Sequence, residues 1–213
     1  MTSSQDDPLW RSAAGGCPES AAALFERHRR RLERTVAVRI DPKCAGKFDA
    51  ADVVQDALVT AFKRAARYFS GELFSGPRPS VFVWLRGLAI EQLIQTQRMF
   101  SGTDKRDVSR ERRLAASASV SNFGPLIEAL KGGLTTPSVA AVRGENSERV
   151  HAALAELTDA ERELLTCLYF EGMTGAEVAE AEGVTRAAIS LRHAKALKKL
   201  VQILSEQANG EAA

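Results

Sequence analysis

Two helix-start signals in the last third of the chain constrain its fold more than any other feature. Thr158 stands three residues before Glu161, and Thr174 stands three residues before Glu177. In this capping-box spacing the threonine and the glutamate each satisfy a backbone N–H at the start of a helix. The helix after the second box is expected to end at Gly183, a residue that closes helices in the left-handed conformation. The pattern predicts short helices joined by tight turns.

The stretch that follows the second capping box meets the mechanical requirements of a helix-turn-helix. Ala179 is small enough to let a second helix cross the first one closely. Gly183 stands where the turn requires a positive φ angle, Val184 is expected to fill the turn, and Ile189 is expected to anchor the second helix to the core. An ordinary helical hairpin is the alternative interpretation.

In a helix-turn-helix the second helix enters the major groove of DNA with its first turn foremost. Small side chains permit that entry, arginine suits the acceptor edge of guanine, and alanine suits the methyl group of thymine. The predicted DNA-binding set is Thr185 at the start of the helix, then Arg186, Ala187, Ala188 and Ser190 near base edges, and Arg192, His193 and Lys195 near phosphates. Glu182 and Arg192 depart from a generic repressor motif, which commonly buries apolar residues at those positions.

The front half of the chain shows the same helical periodicity. From Pro18, apolar residues recur at helical spacing until Asp41–Pro42, which predicts one helix over this segment. Asp49 is expected to cap a second helix whose apolar face includes Phe62 and whose polar face is unusually well defined. The apolar spacing over residues 81–100 predicts a third helix. A buried strand over the start of that segment is the alternative, but the sequence offers it no partner strand.

The predicted fold class is all-α, with two small helical-bundle domains joined by a flexible linker and a helix-turn-helix in the C-terminal one. A composition that is 45% hydrophobic and 6% aromatic suits helical bundles better than a β-sandwich or barrel. Turn-forming and polar residues between the domains predict a linker with one short helix, "PLIEAL". The expected boundaries are a disordered tail over residues 1–17, a front domain over 18–106, the linker over 107–145, the helix-turn-helix domain over 146–205 and a disordered tail over 206–213.

Composition and spacing also argue against several functions. The three cysteines and three histidines are scattered, so we expect no metal site and no cofactor. The sequence shows no clustered nucleophile, base and orienting acid, so we expect no enzyme. No apolar run reaches the roughly 18 residues of a membrane span and no signal peptide is evident, so a cytoplasmic protein without a membrane partner is expected. The net charge of +2 is small, but basic residues gather in three runs, which favours a polyanionic partner.

Taken together, these segments resemble the two-domain sigma factors of bacterial RNA polymerase, of the extracytoplasmic-function type. The resemblance is carried by "FDAADVVQDALVTAF", "VFVWLRGLAI", "KRDVSRE" and the tail segment from "ALAELTDAERELL" to "ISLRHAKALKKL". It covers about residues 20–106 and 145–204. The resemblance implies a protein that directs core polymerase to specific promoters and helps to open the DNA, with no covalent chemistry of its own.

The resemblance gives the polar face of the second helix a partner. In the family, a D-x-V-Q-[DE] segment docks on a coiled coil of the largest polymerase subunit. The residues that match this segment and are predicted to bind core polymerase are Asp52, Val53, Gln55 and Asp56. A solvated helix face is the alternative interpretation of the same pattern.

The resemblance also implies contacts with two promoter elements. The third helix is similar to the family's reader of the minus-ten element, and its predicted DNA-binding residues are Trp84, Glu91, Gln95, Arg98, Lys105 and Arg106. Trp84 either stacks on an unpaired base or packs beneath the base pocket. Glu91 and Gln95 replace an asparagine and an aspartate that are common in the family. The helix-turn-helix would read the minus-thirty-five element, with Lys195 in place of a common arginine.

The partners implied by the resemblance are core RNA polymerase and promoter DNA, and an anti-sigma protein is a further partner that it suggests. The competing hypothesis is a one-component helix-turn-helix regulator that binds DNA without binding core polymerase. The sequence disfavours this alternative, because the front domain has a polar helix face and a basic flank but no evident ligand pocket.

Overall fold

The computed structural model describes residues 7–44, 46–100, 125–126, 129–130 and 146–210. The chain divides into two compact units, Met1–Asp107 and Val108–Ala213. The described residues of both units are mainly helical, which confirms the predicted all-α class. No helix in the described ranges has the length and apolar character needed to cross a bilayer.

The front unit is built around two long helices, α4 (Ala50–Ser70) and α5 (Val81–Phe100), and α3 (Arg29–Ala37) packs against both. Asp49 caps α4 as predicted, because its side chain accepts a hydrogen bond from the backbone N–H of Asp52 at 2.8 Å. Gly71, with φ 85°, ends α4 in the left-handed conformation. The helices of this unit are α1 Pro8–Ala14, α2 Pro18–Glu26, α3 Arg29–Ala37, α4 Ala50–Ser70 and α5 Val81–Phe100.

The N-terminal segment differs from the disordered tail expected over residues 1–17, because residues 8–14 form α1. The side chain of Asp7 accepts a hydrogen bond from the backbone N–H of Leu9 at 2.9 Å and caps this helix. The indole of Trp10 packs edge-on against the ring of Phe69 in α4, with centroids 5.8 Å apart. This tertiary contact anchors a helix too short to be recognised from its own sequence.

The single helix expected from Pro18 to Asp41–Pro42 is divided into α2 and α3. The backbone of His28, with φ −94° and ψ −9°, departs from ideal helical geometry between them. The imidazole of His28 lies against the ring of Phe82 in α5, at 5.7 Å between centroids. Apolar spacing does not register such a local break, because the residues on both sides keep the same face toward the core.

Residues 146–210 of the tail unit form four α-helices with short connections. A five-residue π-helical segment, Thr166–Phe170, continues the second of them. The side chains that form its core include Val150, Leu154, Leu157, Leu164, Leu165, Ile189 and Leu200. The helices are α6 Asn146–Ala155, α7 Asp159–Leu165, α8 Gly175–Glu182 and α9 Arg186–Gly210.

The last helix extends further than expected, so residues 206–210 are helical instead of part of a disordered tail. Gln202 donates a side-chain hydrogen bond to Glu206 one turn later, at 2.9 Å. Gln207 donates another to Glu156 at the end of α6, also at 2.9 Å. The first bond lies within α9, and the second joins α9 to the residue that follows α6, beyond the apolar stripe that predicts the end of the helix.

The expected linker lies largely outside the described residues. Of the short helix predicted there, residues 125–126 and 129–130 are described and are helical. The side chains of Leu126 and Leu130 are buried.

Candidate nucleic-acid and partner interfaces

The helix-turn-helix is formed by α8 and α9 and has the local geometry predicted for it. The hydroxyl of Thr174 accepts from the backbone N–H of Glu177 at 3.2 Å, and the carboxylate of Glu177 accepts from the backbone N–H of Thr174 at 2.8 Å. Gly183 ends α8 with φ 67° and ψ 29°, and Ile189 of α9 is buried. Val184 is exposed and does not fill the turn, which corrects that expectation.

The first turn of α9 presents mostly small and basic side chains to solvent. Arg186, Ala187 and Ser190 are exposed, Ala188 is half-buried, and Lys195 is exposed further along the helix. The predicted base-edge residues therefore share an accessible region.

Thr185 has a capping role at the start of α9. Its hydroxyl oxygen accepts a hydrogen bond from the backbone N–H of Ala188 at 3.2 Å. One of the N–H groups left without a helical partner at the start of α9 is thereby satisfied. The residue is exposed, so a DNA contact by Thr185 remains a prediction alongside this structural role.

Arg192 is engaged within the motif instead of projecting freely toward phosphate as predicted. Its guanidinium donates a hydrogen bond to the carboxylate of Glu182 in α8. The two charged residues that depart from a generic repressor motif thus form an ion pair with each other. The pair takes the place of an apolar contact between the two helices.

His193 is also turned toward the protein, in contrast to the predicted phosphate contact. Its Nε2 atom lies 2.7 Å from the hydroxyl of Tyr169, and the two ring centroids are 5.7 Å apart. Burial lowers the pKa of His193 and raises the pKa of Tyr169. The lowered pKa favours the neutral imidazole, which contributes less than a cation to holding a phosphate.

Sequence reasoning missed Leu191, whose side chain is 74% exposed in the middle of α9. The buried residues of this helix are Ile189, Ala196, Leu200 and Ile203. Counting 100° per residue from this buried stripe places Leu191 on the exposed side of the helix. The helical spacing in the sequence is enough to predict that Leu191 is exposed, but only once the buried residues of α9 are correctly identified.

In the front unit, the predicted polymerase-binding residues divide between the surface and the core. Asp52, Gln55 and Asp56 are exposed on α4. Val53 is only 1% exposed, so it packs inward and is unavailable to a partner, which corrects the prediction for this residue. The D-x-V-Q-[DE] match therefore combines surface positions with a core position.

Neighbouring helices hold two of the exposed side chains on α4. The side-chain oxygen of Gln55 accepts a hydrogen bond from Arg29 of α3 at 3.0 Å. The carboxylate of Asp56 accepts one from Gln92 of α5 at 3.3 Å. These contacts restrict the side-chain conformations and so reduce the entropy that a partner must remove on binding.

Phe62, expected in the core, is 48% exposed, and Val59 is exposed as well. Both lie at helical spacing from Asp52, Gln55 and Asp56. These five residues together form what we call the α4 face. It has an acidic and amide end followed by an apolar end.

Trp84 of α5 is a core residue. It is 8% exposed, and its indole stacks on the ring of Tyr68 with centroids 4.2 Å apart and planes 17° from parallel. The ring of Phe25 meets it edge-on at 5.7 Å. Two roles were open for Trp84, and the structure supports packing in the core. The burial of the indole argues against stacking on an unpaired base.

The remaining predicted minus-ten residues lie toward the C-terminal end of α5 or beyond it. Glu91, Gln95 and Arg98 are exposed at helical spacing and share one side of α5. Lys105 and Arg106 lie outside the described residues.

One group of side chains in the tail unit has the donor types of a metal site, which the scattered cysteines and histidines did not suggest. Donor atoms of Glu163, Cys167 and Glu171 lie within 4.8 Å of one another along α7 and the π-helical segment. The thiol of Cys167 donates a hydrogen bond to Glu163 at 3.4 Å, and Glu171 is fully buried. This geometry is compatible with hydrogen bonding among the three side chains.

Comparison with known proteins finds a family model that matches part of the tail unit. Residues 153–202 match the family model described as sigma-70, region 4. No curated protein sequence shows significant similarity to the chain. Among solved structures, the chain is similar to that of CnrH in complex with the cytosolic domain of CnrY, with 20% identity, a TM-score of 0.50, and coverage of 93% of this chain and 96% of that chain. This likeness shows a shared fold.

Proposed function

We propose that this chain, whose residues 153–202 match the family model for sigma-70 region 4, is a sigma factor that directs core RNA polymerase to specific promoters. The match confirms the predicted resemblance to that family. The single observation that carries the proposal is the coincidence of region 4 with a helix-turn-helix whose second helix has an accessible basic surface.

The surface of α9 supports binding of duplex DNA by the tail unit. Arg186 and Lys195 are exposed on it, and Lys198 extends the basic surface by another turn. Cations at such positions attract both phosphate backbones, and this attraction supplies a large part of affinity for DNA. Ala187 and Ser190 keep the centre of the surface low enough for the helix to enter the major groove. We assign this helix to the minus-thirty-five element.

The α4 face supports binding to core polymerase. Asp52 and Asp56 can accept charge-assisted hydrogen bonds from arginines of a partner, which are stronger than bonds between neutral groups. Val59 and Phe62 continue this face with apolar surface, whose burial adds affinity at the centre of an interface. The partner that the resemblance implies is the coiled coil of the largest polymerase subunit.

The accessible side of α5 supports contact with the minus-ten element. The carboxylate of Glu91 is a hydrogen-bond acceptor, so it suits a cytosine amino group better than a phosphate. Binding to unpaired bases would shift the duplex toward the open state, because such bases exist only in that state. The polymerase supplies the catalytic site, so the role requires no enzymatic chemistry or cofactor in this chain.

A second protein partner, one that controls how much of this chain is available to polymerase, also fits the proposal. The solved structure of CnrH holds it in complex with the cytosolic domain of CnrY. By analogy, we propose that an anti-sigma protein with a cytosolic domain binds this chain and competes with polymerase in the cytoplasm.

In vitro transcription from a library of genomic promoters tests the proposed function. Core polymerase should initiate at a defined set of start sites only when this chain is added. The Arg186→Ala, Lys195→Ala double variant should lose those start sites while it still co-elutes with core polymerase on gel filtration, because its α4 face is intact. A chain that binds DNA without co-eluting with core polymerase would be a one-component regulator, and the sigma-factor proposal would be wrong.

A further inference from the structure

We propose that Leu191 makes α9 a reader of thymine 5-methyl groups in the major groove, an inference that rests on the proposed function. Leu191 is 74% exposed, so its side chain contributes little to the core of the tail unit. It projects from the middle of the surface proposed to enter DNA. The side chain is therefore available to a partner.

The neighbours of Leu191 on α9 make it the most prominent uncharged side chain of that surface. Ala187 lies one turn before it and Ala194 lies almost one turn after it, and both are exposed. An alanine reaches only as far as its Cβ atom. Leucine extends two bonds further, so Leu191 meets the floor of a groove before the alanines do.

The charges around Leu191 select nucleic acid as the occupant. Arg186, Lys195 and Lys198 are exposed on the same helix. Glu182, across the turn, is paired with Arg192, so its charge is offset. This arrangement complements two phosphate backbones on either side of an apolar centre, as the major groove requires.

The chemistry of leucine then selects the base. Adenine, guanine and cytosine present hydrogen-bonding groups in the major groove. Against Leu191 these groups would lose their hydrogen bonds to water without gaining new ones from the protein. Thymine presents a methyl group, whose burial against leucine is favourable. His193 is hydrogen-bonded to Tyr169 and is therefore less available to compete for the same position. We expect one or two required thymines in the upstream promoter element.

The test compares thymine with deoxyuridine, which lacks only the 5-methyl group. Holoenzyme reconstituted from core polymerase and the full chain is used to select active promoters from a randomised library. Each thymine of the upstream element is then replaced singly by deoxyuridine, and half-saturating template concentration is measured. For the wild-type holoenzyme, deoxyuridine at one or two positions should raise the half-saturating template concentration roughly fourfold, which is the effect of one buried methyl group. Leu191→Ala should lose this sensitivity, and Leu191→Met should retain it.

Val184→Ala is the matched control, because Val184 is an exposed aliphatic residue of the same motif that lies outside α9. It should show wild-type sensitivity to deoxyuridine. The inference is overturned if wild type tolerates deoxyuridine at every position or if Leu191→Ala keeps the wild-type response. Weaker binding of Leu191→Ala to core polymerase, with its deoxyuridine response intact, would assign Leu191 to a protein interface and also overturn it. If wild-type holoenzyme selects no promoter, the proposed function itself fails, and this result is distinct from the others.

Discussion

Arg192 of α9 donates a hydrogen bond to Glu182 of α8 and joins the two helices of the helix-turn-helix across their turn. The two side chains are 39% and 31% exposed, respectively, so solvent screens the attraction between them. The ion pair thus accounts for charged residues at positions where apolar ones were expected. Because the pair is partly exposed and screened, a contact between Arg192 and phosphate stays a prediction.

A double-mutant cycle on this pair should give a small coupling energy. With Glu182→Gln, Arg192→Gln and the combined variant, we expect a coupling below about 1 kcal/mol in the free energy of unfolding, as for other partly exposed pairs. Urea denaturation followed by circular dichroism measures it, and 1 M salt should reduce it. No coupling together with lost promoter binding in Arg192→Gln would instead identify Arg192 as a DNA contact.

Gly183→Ala should destabilise the tail unit by about 1–2 kcal/mol, because an alanine at φ 67° is forced into the left-handed region. Gly175→Ala, at the other end of α8, is the matched control. A Cβ atom there would meet Ile189 Cγ2 at 3.9 Å, an ordinary contact, and the φ angle is not positive. In thermal denaturation, the melting temperature of Gly183→Ala should therefore be lower than that of Gly175→Ala. Equal stabilities would contradict the proposed role of the turn glycine.

Trp84→Ala should lower the stability of the front unit by about 3–5 kcal/mol, the range for truncating a large buried aromatic residue. Trp84→Phe should cost less, because a ring still packs against Tyr68. Both variants are compared with wild type by urea denaturation. If Trp84→Ala keeps wild-type stability but fails in promoter opening, Trp84 contacts DNA directly and its assignment to the core is wrong.

The pair of Glu161 in α7 and Lys199 in α9 predicts a specific acid dependence. Lys199 donates to the carboxylate at 2.8 Å, and this bond, with further bonds from Thr158, lowers the pKa of Glu161 from 4.5 to about 2. A carboxyl group with a depressed folded-state pKa stabilises the fold above its unfolded pKa, and this contribution disappears as the pH falls toward the folded value. Stability should therefore decline between about pH 4.5 and pH 2.

Glu161→Gln should flatten that decline, because the substituted side chain does not titrate. Lys199→Gln should flatten it as well, since it removes the principal cause of the shift. Melting temperatures measured across the acid range provide the comparison. An unchanged acid dependence in both variants would contradict the assigned role of the pair.

Local signals in the sequence were sufficient to predict the helix boundaries around the turn. The capping residue Thr174 and the closing glycine Gly183 act on backbone groups only a few residues away, so their spacing contains the necessary information. The all-α class and the position of Ile189 in the core followed from the same short-range periodicity.

The errors concern side chains whose surroundings are set by distant parts of the chain. His193 meets Tyr169, which lies 24 residues earlier, and Arg192 meets Glu182, which lies 10 residues earlier. Val53 matched a partner-binding motif, yet the packing of other helices on α4 encloses it. Phe62 was assigned to the core from periodicity, although the neighbouring helices do not cover its position. Such outcomes depend on tertiary packing, which spacing alone does not specify.

The affinity of the full chain for core RNA polymerase tests the central claim most directly. Dissociation constants are measured for wild type, for Asp52→Asn with Asp56→Asn on the α4 face, and for a control with Glu19→Gln and Glu72→Gln, exposed acidic residues elsewhere on the front unit. We expect specific binding by wild type and by the control. The α4 variant should bind at least about tenfold more weakly, because two charge-assisted contacts are lost. Equal affinities for all three proteins, or no binding by wild type, would contradict the central claim.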